Sequence, residues 1–392
     1  MSAAQWRRAM NSSAAATAAR RPSGTAPPLR PVAAPGGIAV PAGAGWWQRQ
    51  RDKLRAIRPR HVIVMAFVLA YPFFASPFFT FQIGAQSLAL GLIALSLTFL
   101  GGYGGMVSLA QMTVAGFAAY MLAIFGTSSN VAISLGWPWW LALPIAVGLA
   151  TLFAAAVGWL SVRTEGIYTI MITLAVGVAF FYLAQQNYTL FNGFQGFSRI
   201  AAPMVFELDL REPLAFYFLT LACALGGYFF VKYLVRAPFG VALQGIRDNP
   251  RRMSALGYNV TAHRVAAYAV AGFLAAVGGV LMVWYNGRIS PGTVGTGAMI
   301  NILIIAVLGG MKHPIGAFVG AIVFVLLQNF AIDLVDRERF NLVIGGVFLA
   351  IVLFSPDGLL GLWQSLRTRL GGPFTARGLG RIRSSMTTRS ET

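Results

Sequence analysis

Catalysis by side chains needs titratable or nucleophilic groups gathered at one place, and this chain keeps its few such groups apart. Its 392 residues include 11 Asp and Glu, three His and a single cysteine, Cys223. No carboxylate falls in the middle of an apolar run; Glu165 stands at the start of one and the others lie in loops or tails. His61, His263 and His313 are far apart and near the edges of apolar runs, where an interfacial imidazole is a better reading than a base or a metal ligand. One cysteine permits neither an intrachain disulfide nor a cysteine-based metal site. None of Lys53, Lys232 and Lys312 follows a glycine, so the GxxxxGK loop that cradles nucleotide phosphates does not occur. The residues supply no catalytic, cofactor-binding or metal-binding set, and the chain is read as a non-enzyme.

What the apolar runs do hold is polar and neutral: Gln86, Ser108, Gln111, Thr113, Thr169, Thr173, Gln185, Gln186, Asn187, Asn301, Gln328 and Asn329. Such groups either bond one helix to another, at roughly 0.6 kcal/mol each, or replace the water around a small polar solute. Most fit the first role. Gln111, Thr113 and Asn301 are the candidates for a solute path. The missing intramembrane carboxylates argue against an ion-coupled secondary carrier, which usually keeps ionisable groups in the membrane despite their cost. Backbone carbonyls that bind sodium leave that alternative standing.

These residues have to be positioned by membrane helices. The chain is 57% hydrophobic and 10% charged, where a soluble domain carries about 25% charged residues. Its net charge of +19 sits outside the apolar segments, at the two ends and in one loop, which is the pattern of membrane topology rather than of nucleic-acid binding. With about 20 apolar residues per crossing, the fold class is an all-α integral membrane protein of about ten spans. They fall near 61–79, 84–100, 106–126, 138–160, 166–185, 213–235, 264–285, 297–311, 314–332 and 341–354. This gives a transmembrane permease-like domain over 61–356. Before it lies a basic cytoplasmic tail, 1–60, rich in Ala, Pro, Ser and Gly and expected to be disordered; its end, Trp46–Arg60, reads as an interfacial segment. A second basic cytoplasmic tail follows at 357–392.

Charge sets the orientation. Eleven basic residues against Asp52 alone place the N-terminus inside. Ten alternating spans then put 186–212, with Glu207, Asp209 and Glu212, outside, and 333–340, with Asp333, Asp336 and Glu338, outside as well. They put 236–263 and the C-terminal tail in the cytoplasm.

The longest polar interruption of the bundle is Ala237–Val260. Its pattern predicts two short helices. Phe239–Asp248 is the first, with Val241, Leu243 and Ile246 as apolar contacts. Asn249 caps the second by accepting an orphan backbone N–H bond, Pro250 takes its first position, and Gly257 stops it after Leu256. Arg236, Arg247, Arg251 and Arg252 make it basic. Anionic lipid would hold such a loop, but lipid binding does not call for a capped helix pair.

Five blocks carry a resemblance. Gly102–Tyr120, GYGGMVSLAQMTVAGFAAY, resembles a GYxGxxSLGxxxFxxxGAY stretch, and Arg163–Gly177, RTEGIYTIMITLAVG, resembles RxxGxYxxxxTLAxG. Phe239–Val260 resembles an FGxxxxAIRDNxxxAxxxGxxV loop. Leu308–Ala321, LGGMKHPIGAFVGA, is similar to GGxGxxxGPxxGA, and Ser355–Gly361, SPDGLLG, to RPxGLLG. Together they resemble the branched-chain amino acid permease family of ABC importers, in the longer of its two permease subunit types. The resemblance implies a permease for branched-chain or related amino acids in the bacterial inner membrane. It implies partners as well: a second related permease, two cytoplasmic ATP-binding subunits and an extracellular or periplasmic solute-binding protein. ATP would then be used by a partner, with no cofactor bound here. Residue by residue, the ATPase-coupling role falls on Ile246, Arg247, Asp248, Asn249, Ala255 and Gly257. The sequence departs from the family at Ala110, Val178, Asn301, Lys312 and Asn192–Gly196. These departures bear on the solute rather than on the class, and urea, short amides and small carboxylates are the alternatives.

Overall fold

The computed structural model describes residues 68–334, apart from Glu165, Ala201, Phe206 and Glu207, and a few positions between Gly345 and Gly361. The 1–60 tail, the start of the 61–79 span, most of the 333–340 loop and nearly all of the 341–354 span and the 357–392 tail lie outside the described residues. The helices are α1 (Phe79–Tyr103), α2 (Gln111–Phe125), α3 (Trp139–Ser161), α4 (Ile167–Gln186), α5 (Pro213–Arg236), α6 (Pro238–Asp248), α7 (Pro250–Ala255), α8 (Val260–Asn286), α9 (Thr296–Gly309) and α10 (Pro314–Leu334). Among the described residues α1, α3, α4, α5 and α8 are long and apolar enough to cross a membrane, and α9 with α10 forms a unit bent by 117°. An all-α membrane fold is what the apolar runs required.

Three boundaries differ from the sequence reading. The break before α1 falls at Ala75–Ser76, ahead of residue 80, because Pro77 disfavours helical backbone at the residue before it. The 106–126 segment is helical only over α2, 15 residues or about 22 Å, since Gly105 takes φ +67° and residues 105–108 are not helical. The 297–311 and 314–332 segments are two arms of one bent unit, turned by Gly310 at φ +100° and restarted by Pro314. Helix α1 itself is irregular: Phe79–Ala85 and Phe99–Tyr103 are π-helical turns around a regular Gln86–Thr98.

Lipid is as apolar as leucine, so packing in a membrane is won by close approach of small residues. The chain follows that rule. Helix α3 buries Ala142, Ala146, Ala150 and Ala154, one every four residues, and Gly272 of α8 sits directly on Ala154. Gly279 of α8 lies on the Ala115 backbone of α2, and Gly320 of α10 on the Ile305 carbonyl of α9. Helix α1 is the axis, with 83% of its apolar window buried, against 28% for α4.

The two ends of the bundle are built differently. At one end a pair of two-residue strands, β1 (Phe197–Ser198) and β4 (Arg288–Ile289), pair antiparallel, while β2 (Met204–Val205) pairs with β3 (Leu208–Asp209). Gly196 allows the first pairing because a side chain there would strike the Ile289 carbonyl. Beneath it, the Tyr120, Phe180, Phe191 and Phe197 rings pack edge to face. At the opposite end lie the close of α1, the α6–α7 pair and the bend between α9 and α10, held together by the contacts described below.

Candidate translocation and coupling sites

The polar interior begins where α2 starts inside the bundle. Ser96 of α1 donates to Gln111 Oε1 at 3.1 Å, and the Leu109 amide donates to Thr173 Oγ1 of α4 at 3.1 Å. Ser108 accepts from the Ala110 amide. Ser96, Ser108, Gln111, Thr113, Thr173 and Ser161 are all buried. The Tyr268 hydroxyl of α8 lies near the hydroxyls of Ser108 and Ser161 but reaches neither in good hydrogen-bond geometry, and the Thr113 hydroxyl is likewise unbonded. Non-helical backbone at this depth is tolerated because protein surrounds it.

Of the three candidates for a solute path, Gln111 and Thr113 both lie in the first turn of α2 but on different sides of it, Gln111 toward Ser96 of α1 and Thr113 toward α4. Thr113 faces Gly177 of α4, as does Met299 of α9. Asn301 is half-buried two residues beyond Met299, which turns it to another side of α9. Most of the other polar groups serve the helices themselves: Thr169 donates to the Thr164 carbonyl, Asn329 to the Val325 carbonyl, and Asn187 accepts from the Leu190 amide. Sequence reasoning missed Ser96 and Tyr268, each a hydroxyl inside an apolar run. It also missed the pair made by the Tyr285 hydroxyl donating to Gln82 at 2.8 Å.

Gln111→Leu separates a path residue from a packing one. It removes one interhelical bond, worth about 0.6 kcal/mol on average, and keeps the volume. Thermal stability in detergent is expected to change little while solute uptake falls; equal uptake by this variant assigns Gln111 to packing alone.

The second site is the α6–α7 pair. Leu243 and Ile246 are fully buried under the end of α1, and Gln244 donates to the Val235 and Gly240 carbonyls at 3.1 and 3.0 Å, fixing α6 to α5. Asn249 Oδ1 accepts from the Arg252 amide at 3.0 Å, Pro250 opens α7, and Gly257 ends it at φ +89°. The Tyr258 amide bonds back to the Met253 carbonyl. The expected cap, start and stop are all present. A second cap was missed: Asn259 accepts from the Ala262 amide at 2.9 Å and opens α8.

Side-chain directions correct the sequence reading at two points. Val241 is not a packing residue; it is 60% exposed, and Leu256 and Tyr258 are exposed as well. Ile246 has no exposed surface with which to touch another protein. Arg247 pairs with Asp248 at 2.9 Å and turns its other donor, Nη1, to the Gly102 carbonyl of α1 at 2.6 Å. Ala255 and Gly257 are exposed. A cavity of about 470 Å³ opens between the end of α5, α6, α7 and the turn after it, lined by Arg236, Pro238, Val241, Ala242, Gly245, Met253 and Tyr258.

Loss of the cap is measurable. Asn249→Ala is expected to destabilise α7 by about 1 kcal/mol, seen as faster amide hydrogen exchange over 250–257 with unchanged exchange in α8. Equal exchange in both proteins would show that the packed face of α6 holds α7 without the cap.

Comparison with known proteins places these features in a family. The model of the branched-chain amino acid transport system / permease component matches residues 79–352. The chain belongs to this family. Among its relatives, the high-affinity branched-chain amino acid transport system permease protein LivM of Escherichia coli K12 is 24% identical over 76% of this chain and 74% of its own. LivH of the same strain, another permease protein of that system, is 24% identical over 69% of this chain and 90% of its own. The nucleoside ABC transporter permease protein NupC of Lactococcus lactis is 24% identical over 64% and 83%. No solved structure matches. Family membership, with five helices among the described residues long and apolar enough to cross a membrane, makes the chain a multi-pass membrane permease, and the permease match contains both the buried start of α2 and the α6–α7 pair.

Proposed function

We propose that this chain is the transmembrane subunit of an ATP-binding-cassette importer, forming part of the path for branched-chain or related amino acids. It is coupled through 237–260 to a separate ATPase. The observation that carries the reading is the α6–α7 pair: a capped, basic element anchored by buried Leu243 and Ile246 that presents Val241, Leu256 and Tyr258 outward. A loop that only rested on lipid would need neither anchor nor cap. In this reading Ile246 anchors the joint, Asn249 and Gly257 shape it, Asp248 and Ala255 lie on its exposed side, and Arg247 faces the bundle. Gln111 and Thr113 belong to the solute path, with Asn301 at its margin.

The partners are two cytoplasmic ATP-binding subunits that consume the ATP, a second related permease, and an extracellular or periplasmic solute-binding protein. In this reading the chain lies in the bacterial inner membrane with both termini and the α6–α7 end on the cytoplasmic side, supported by the basic residues that flank them. Relatives named for branched-chain amino acids support that solute class, and the nucleoside permease among them supports a wider range of polar solutes; urea, amides and small carboxylates remain the alternatives within the same machinery.

The deciding experiment co-expresses the tagged chain with two ATP-binding subunits, a second related permease and a solute-binding protein of the same importer class, then measures co-purification and uptake of labelled leucine. ATP-dependent uptake and a stable ATPase complex are expected. Uptake by the chain alone in liposomes, driven by an ion gradient, would instead establish an ion-coupled carrier. ATP-driven uptake of nucleoside but not leucine would move the solute class and keep the rest.

A further inference from the structure

Helix α1 ends in a π-helical turn, Phe99–Tyr103, and the glycines around it form a cradle. A side chain on Gly101 would strike the Met311 sulfur, and one on Gly102 the Met311 carbonyl, so the bend between α9 and α10 rests directly on this turn. A side chain on Gly105 would strike the stem of Arg247, and Leu243 lies beside Gly104. The last carbonyls of a helix have no partner within it. The Gly102 carbonyl is one of these, and it accepts from Arg247 Nη1 at 2.6 Å, a charge-assisted bond and therefore a strong one. Beyond the turn the chain runs without helix through Met106, whose amide returns to the Leu100 carbonyl, to the start of α2 at Gln111. Gln111 is tied in turn to Ser96, one turn before the π-helical segment.

We infer that Arg247 is a positioning residue for transport: it carries displacement of α6 to the π-helical end of α1, and through it to the buried start of α2. The inference rests on the coupling reading above and departs from it in one respect, since Arg247 acts on the bundle and not on the ATPase. A guanidinium engaged by Gly102 and Asp248, with its stem on Gly105, has its donors turned toward its own chain. The π-helical turn is the receiving part because it touches three elements at once: α6, the α1–α2 connection and the α9–α10 bend.

The test uses the full importer. Cys223 is the only cysteine, so Cys223→Ser with Ala110→Cys places a single thiol at the buried start of α2, where Ala110 is 1% exposed. Its modification rate is measured with and without a non-hydrolysable ATP analogue, beside ATPase co-purification and uptake. In Arg247→Ala the ATPase is expected to co-purify undiminished, while uptake and the nucleotide effect on the thiol both fall about tenfold, a common size for coupling between sites. Arg247→Met, which keeps the stem on Gly105 and lacks the donors, is expected to behave alike and serves if the alanine variant does not accumulate. Arg247→Lys, which restores a donor, is expected to recover both readouts in part. Undiminished uptake in the alanine and methionine variants overturns the relay. Loss of ATPase co-purification in them also overturns it, by making Arg247 a docking contact, and leaves the coupling reading intact. Failure of the unmutated chain to hold an ATPase defeats the coupling reading itself.

Discussion

Gly279→Val is expected to leave almost no folded protein to purify. Gly279 stands where α8 crosses α2, and a β-carbon there meets the carbonyl, carbonyl carbon and Cα of Ala115. All three are backbone atoms of a helix, so no rotamer change relieves the contact. Overpacking usually costs about 1–3 kcal/mol and more when the obstacle cannot move. Against a total stability of roughly 5–15 kcal/mol, and with Gly278 already packed on Ile93 of α1, the crossing cannot simply slide. The measurement is the yield of monodisperse protein after detergent extraction. Gly226→Val is the control: the same substitution on α5, at a position with nothing within 4 Å, is expected to purify normally. Equal yields would show that α2 and α8 can separate without loss of the fold.

Leu243→Asp is expected to abolish uptake while the bundle persists. Leu243 is fully buried between α6 and the end of α1. Removing it forfeits about 2–3 kcal/mol of side-chain burial, and an unpaired carboxylate in its place adds a desolvation penalty of several kcal/mol. The remaining ties of α6, chiefly Gln244 and Arg247, do not offset that sum. The helix is therefore expected to leave its seat, releasing the backbone around the already exposed Arg247, Arg251 and Arg252 from its folded conformation. Trypsin reads the difference: rapid cleavage within 247–252 in the variant, with the membrane helices still protected. Slow cleavage and normal uptake together would show that α6 is held from elsewhere.

Helix positions were legible in the sequence wherever a long apolar run ends in a cap or a helix breaker. Asn249, Pro250 and Gly257 announced α7 because cap chemistry is local and needs no knowledge of neighbours. What escaped was the breaking of the helices. The residues of α2, α9 and α10 are as apolar as those of α1, and composition alone does not tell a crossing from an arm of a bent unit. Gly101–Gly102, Gly104–Gly105 and Gly309–Gly310 stand out in the sequence only as paired glycines. In the structure Gly102 lies against Met311, one residue past Gly310, so the two glycine groups adjoin each other. Side-chain direction was the other loss. Periodicity counted Val241 with Leu243 and Ile246, yet the short α6 buries a narrow strip and leaves Val241 outside it. Of the site itself, Gln111 was visible as an amide in an apolar run; its partner Ser96 became meaningful only once residues 104–110 folded back to bring the two together.

The central place of α1 also bears on how the protein is made. Its neighbours are synthesised long after it: Gly227 packs on Leu92, Gly278 on Ile93, and Phe318 on Gly91. Helix α1 thus leaves the ribosome with much of its surface waiting for segments about 130 to 230 positions downstream. Until α10 is inserted, a helix destined for the interior is bathed in lipid, with Ser87 and Ser96 on its surface. A nascent chain stalled before Pro314 therefore leaves Gly91 of α1 without the Phe318 contact that covers it in the finished bundle.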